Sequence, residues 1–257
     1  IGQKLIYQDA KTVAPGYSIT GGYLDALGTP SPSLFQEISF IDRSIGLMVG
    51  ELKKQDLFDS TMIVVTAKHG QSPIDPNRFL PIPGHSPLNN GMTPSALLGA
   101  SFIPDSELNQ IGPTEDDVSL LWLSPGASLA SALAILETPA NETTAGIGEI
   151  FAGNSLAPLY NTPGLPADDP RTPDIIVAPN VGVVYTGSKK KLAEHGGFAH
   201  DDTNVIMLLS NPSFKAQSIP TAVQTAQIAP TILKALALNP QALKAVVLEG
   251  TQTLPGF

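Results

Sequence analysis

Cysteine is absent from the 257 residues, histidine occurs four times and tryptophan once. The first absence excludes disulfides, thiolate nucleophiles and cysteine-ligated zinc or iron–sulfur centres, and leaves the compartment open. Charge is scarce as well: 14% of residues are Asp, Glu, Lys or Arg, and 14 basic against 23 acidic residues give a net charge of -9. That balance argues against a nucleic-acid polymer groove, because phosphate backbones are bound by clustered Lys and Arg. The one basic cluster, Lys189-Lys190-Lys191, reads as a solvated loop. No stretch approaches the ~20 apolar residues of a membrane span. Ile1-Gly2-Gln3-Lys4 lacks the basic-then-apolar order of a signal peptide, so no membrane partner is expected. Asn141-Glu142-Thr143 matches a glycosylation acceptor and points toward a secreted or periplasmic setting.

What the chain has in quantity is apolar side chain, proline and glycine: 42% hydrophobic residues, 24 Pro and 23 Gly. A sizeable core joined by many rigid turns follows from that mixture. Residues 33 to 54 place Leu34, Ile38, Ile41, Ile45, Met48 and Leu52 at spacings of three and four, which predicts one apolar helical stripe. Ser33 and Gln36 read as its capping box, with Pro30 and Pro32 upstream. A short polar turn then leads into a strand over Met62 to Thr66, apolar on both faces as parallel strands are. Residues 71 to 114 read as a Pro-rich lid carrying a short helix at Pro94 to Gly99, and 138 to 173 as a second irregular region. Strands are expected at Val118 to Leu123, Asp174 to Val177, Val181 to Thr186 and Asn204 to Ser210. Helices are expected at Ala127 to Glu137 and Thr221 to Leu238, the latter kinked or restarted at Pro230. One α/β domain over residues 1 to 257 is the expectation.

The histidines are His69, His85, His195 and His200. His69 follows a strand end and His195 and His200 precede another strand, positions where ligands gather in α/β folds. A Gly follows both His69 and His195, letting backbone pass close to an ion or oxyanion. Imidazole with carboxylate suits zinc or manganese, and Asp25, Asp201 and Asp202 are the carboxylates at hand. The competing reading, in which a histidine satisfies a buried backbone group, is adopted for His85; for His69 and His195 the two stay open.

Three segments carry a resemblance. FDSTMIVVTAKHGQSPID resembles the Asp-His-Gly metal segment of the type I phosphodiesterase and nucleotide pyrophosphatase family of the alkaline phosphatase superfamily. AEHGGFAHDDTNVIMLLSNP resembles that family's later His-Gly motif, and TAQIAPTILKALAL its closing helix around Asp-x-x-Pro-Thr, with Gln227 at the aspartate. The resemblance implies a doubly wound, mostly parallel sheet with helices on both faces. It also implies two divalent transition metals such as Zn2+, with the loss of one site as the alternative, and a small phosphate-ester substrate hydrolysed through a Thr or Ser intermediate. Carried over by residue, His195 and His69 become metal ligands and Asp25 a third. Lys68 stands where the family has aspartate and, unable to bind a metal while protonated, becomes a cation for the phosphate or for a lost metal. Thr29 stands where a histidine four residues after Asp25 is usual; an alternative register lays Gly2-Gln3 over that Gly-His pair. The family's nucleophile segment falls ahead of Ile1. The chain is therefore expected to be the C-terminal part of a larger domain, completed by an N-terminal fragment of the same precursor. The alternative is a non-catalytic binding or structural protein on the same scaffold.

Overall fold

The computed structural model describes residues 11–14, 17–19, 22–74, 77–84, 92–104, 112–157, 159, 172–187 and 193–257. His85, the lysine cluster and the alternative Gly2-Gln3 register lie outside them. The chain divides into two compact units: Ile1–Asp42 with His69–Tyr160 and Pro166–Asn204, and Arg43–Lys68 with Asn161–Leu165 and Val205–Phe257.

The first unit is built on a four-stranded antiparallel sheet, in spatial order Thr114–Glu115, Ser119–Leu121, Ile175–Pro179 and Ile147–Ala152. Alternation along the strand Ile175–Pro179 sends Ile175 and Val177 to one face and Ile176 to the other. The first face packs Leu121, Ile147, Ile175 and Val177 against Leu98, Ala132, Leu136 and Ala145 of three short helices. The opposite face packs Ile176 against Val118 and Leu156.

Each of these helices has an identifiable start. Thr93 caps Pro94–Leu98 by accepting from the Ala96 N–H, Ser128 caps Leu129–Leu136 through the Ser131 N–H, and Thr138 caps Pro139–Ala145 through the Asn141 N–H. The last helix and the strand Ile147–Ala152 occupy the region expected to be irregular. Thr138-Pro139 at the start and Gly146 at a left-handed φ of 61° past the end are the signals that mark it. The Asn141 side-chain N–H of the glycosylation triplet donates to the Ile135 carbonyl at 2.7 Å, so that amide is engaged within the fold.

The helix Pro32–Lys54 forms where the stripe predicts it, but its cap is Ser31 rather than Ser33. The buried Ser31 hydroxyl accepts from the Leu34 N–H at 3.1 Å, and Pro32 takes the first helical position. None of its residues is buried; Ile38, Ile41 and Met48 are all exposed.

In the second unit the strand Ile63–Thr66 pairs antiparallel with Met207–Ser210, Val65 opposite Leu208. Ile45, Met48, Val49 and Leu52 join Met62 to Thr66 around an apolar groove of about 460 Å³. Pro230 lies in the first turn of the helix Ile228–Ala235, so the expected long helix begins only there. The buried Thr231 hydroxyl ties that helix down, donating to the Gln227 carbonyl at 2.6 Å and accepting from the Leu254 N–H at 2.8 Å. Thr231→Val is expected to cost about 1–2 kcal/mol by stranding the Leu254 N–H, read as a lowered urea midpoint with unchanged slope.

The class is α/β as expected. The doubly wound, mostly parallel sheet is a different matter: the described strands form small sheets, and of their pairings only Leu80–Pro81 with Val183–Val184 is parallel. A run of apolar residues such as 62 to 66 specifies burial, not the direction of the neighbouring strand. No helix of the described residues is long and apolar enough to cross a membrane.

Candidate functional site

The strand Ala193–Glu194 pairs antiparallel with Ser72–Pro73, Glu194 opposite Ser72. Chains running in opposite directions from that register carry His195 and His69 to the same end, although 126 positions separate them. Their rings stack with centroids 4.0 Å apart and planes 18° from parallel. The His69 Nδ1 lies 2.7 Å from the Gly70 carbonyl. A carbonyl only accepts, so that nitrogen carries the proton and the neutral ring keeps its lone pair on Nε2.

The loop behind His69 is fixed by backbone. The Gly70 N–H donates to the Asp202 carbonyl at 2.7 Å, and a Cβ at position 70 would overlap the Asp201 carbonyl oxygen. Only glycine permits this approach. The His195 N–H in turn donates to the buried Glu194 carboxylate at 3.1 Å.

Two carboxylates meet beside this pair. Asp202, on the short helix His200–Thr203, is 4% exposed, and among the described residues neither of its side-chain oxygens has a donor. Asp117, two residues before the strand Ser119–Leu121, shares its surroundings. A Cβ on Gly197 would overlap the Asp117 Oδ2 and lie 2.7 Å from the Asp202 Oδ2, so both acids converge on that bare backbone. Burial pushes the Asp117 carboxyl up to about 7, helped by a proton shared with Asp202 and by the charges of Asp202 and Asp116, while the Gly197 N–H opposes the rise. Both acids line a cavity of about 480 Å³ with Ser72, Arg78, Glu194 and Phe198.

The remaining sequence candidates make contacts of their own. The Asp25 carboxylate accepts from the Leu27 and Thr29 N–H groups at 2.9 and 3.1 Å, and hydrogen bonds from Thr29 hold its carboxyl below the usual carboxylate range. Thr29, read as a replaced histidine, thus serves a turn. His200 is exposed between Asp201 and the Asn204 amide. Lys68 is exposed. Gln227 accepts from the Gln224 N–H at 2.8 Å and donates to the Thr253 carbonyl at 3.2 Å, a capping role. Among the described residues no group of three or more His, Asp or Glu side chains could hold a metal ion. Two face-to-face imidazoles with Asp25 spent on its own turn do not make a zinc donor set.

Sequence reasoning missed Asp117. Its signal was available: Glu115-Asp116-Asp117 puts three acids at the mouth of an apolar strand in a chain poor in charge.

The sequence model described as type I phosphodiesterase / nucleotide pyrophosphatase matches residues 20–201. Among solved structures, human ectonucleotide pyrophosphatase / phosphodiesterase 5 is similar at 17% identity and a TM-score of 0.56, over 84% of this chain and 51% of that one. An inactive variant of the murine protein in complex with AMP is similar at 16% identity and a TM-score of 0.56, over 93% and 59%. The chain thus spans little more than half the length of these solved relatives. No curated protein matches it.

Proposed function

Since the chain belongs to the type I phosphodiesterase / nucleotide pyrophosphatase family, we propose that it carries the histidine side of a site that hydrolyses small phosphate esters. The observation that carries this reading is the stacking of His69 and His195 at 4.0 Å, two side chains remote in sequence and held by one strand pairing. With its Nδ1 proton committed to Gly70, the His69 Nε2 can accept a proton from water or, once protonated, donate to a phosphoryl oxygen. Lys68, next along the chain, is the cation proposed to meet the phosphate charge. The murine relative's AMP complex makes a nucleotide-like ester the substrate class of choice.

A nucleophile is proposed to come from a further part of the same polypeptide, which would also complete a larger sheet. The 51% and 59% coverage of the solved relatives and the open apolar groove beside Ile63–Thr66 support that reading. A second reading, a non-catalytic phosphate-ester-binding scaffold, is favoured by the capping role of Gln227 and by Lys68 at a usual aspartate.

Hydrolysis of bis(p-nitrophenyl) phosphate, assayed on the polypeptide that includes that further part, separates the two. His195→Ala is expected to lower kcat/KM at least tenfold, the scale of lost acid–base assistance. Wild-type protein that binds AMP without turning over the ester selects the scaffold, and equal rates in both proteins remove His195 from the reaction.

A further inference from the structure

The cavity beside the histidines contains an electrostatic arrangement that the stacked rings do not use. Asp117 and Asp202 come from different elements and converge on the bare backbone of Gly197, Asp202 buried and Asp117 half-buried. Fully ionised, they form two negative charges in one buried place, an arrangement that persists only with a compensating positive species. Among the described residues no ion pair supplies it. Arg78 lines the cavity but is exposed, and among the described residues no ion pair joins it to either acid. The other charged groups near the pair, Glu194 in the cavity wall and Asp116 beside Asp117, are acids themselves. With Asp117 ionised, the Asp202 oxygens have no donor among the described residues and are walled in, which points to a ligand that accepts electron pairs.

We infer that Asp117 and Asp202 hold a hard divalent cation, calcium or magnesium, in the cavity that both line. The donors are carboxylate oxygens without sulfur or imidazole, the set that hard cations take. A cavity of about 480 Å³ accommodates the water molecules that complete six or more oxygen ligands. A proton competes for the same place.

The test is the melting temperature of the full chain at pH 8, in EDTA against millimolar calcium or magnesium at matched ionic strength. A rise of about 5 °C is expected for the wild type. Asp202→Asn and Asp117→Asn are each expected to lose it, while His195→Ala keeps it, so the outcome stands apart from the fate of the hydrolytic reading. Both acid variants remove an unfavourable buried charge, and a melting temperature in EDTA at or above the wild-type value certifies that they fold. No cation response in the wild type, or a response undiminished in both acid variants, overturns the assignment.

Discussion

Asp117→Asn is expected to leave stability nearly unchanged at about pH 3.5 and to raise it at about pH 8 by on the order of 4 kcal/mol, measured by urea unfolding in EDTA. The sign follows from proton linkage. The Asp117 carboxyl is raised from 3.8 to about 7, so between those values the folded chain holds a proton that the unfolded chain has released. Stability from this group is complete below the unfolded value, declines as pH rises through the window, and is gone above about 7. Asparagine cannot ionise, and its amide can donate to the Asp202 carboxylate that otherwise lacks a donor. The variant therefore keeps at pH 8 what the wild type has lost. A difference of the same size at both pH values would show that the acid pair is not the origin.

Glu115→Ala is expected to be the most damaging single truncation near this sheet, costing about 3–5 kcal/mol. The Glu115 carboxylate is 4% exposed and accepts three hydrogen bonds: from the Ser95 N–H at 2.9 Å, the Ser95 hydroxyl at 2.8 Å and the Ser119 hydroxyl at 2.9 Å. Both serines are fully buried. Truncation strands three donors with no water to take them, and also unfastens the helix Pro94–Leu98 from the sheet. Glu115→Gln retains an acceptor oxygen and the side chain's volume, and is expected to lose less than half as much. Equal losses in the two variants would place the effect in packing rather than in the stranded donors. Urea midpoints of the two proteins decide it.

Much of this architecture was legible because its signals are local. The stripe of Leu34, Ile38, Ile41, Ile45, Met48 and Leu52 is a helix whatever surrounds it, and Thr93-Pro94 with Gly99 encloses a short helix by cap chemistry alone. His69 and His195 were legible as a pair through the glycine that follows each. Strand direction was not, because Ile63–Thr66 reads the same beside a parallel or an antiparallel neighbour and its partner lies some 140 residues away. Asp25 is ambiguous in the opposite way: an aspartate four residues before a threonine fits a ligand motif as well as a self-capping turn, and in the structure its carboxylate accepts from the Leu27 and Thr29 N–H groups. The acid pair was invisible for a third reason. Asp117 and Asp202 are 85 positions apart and become neighbours only when Gly197 admits them both.

The single backbone bond from the Gly70 N–H to the Asp202 carbonyl splices the loop of His69 to the helix that bears the acid. Rings and carboxylates are therefore yoked, and neither can drift without dragging the other. Whatever settles between the acids, a proton or an ion, will be heard at the His69 ring, whose proton resonance is a built-in listening post for that event.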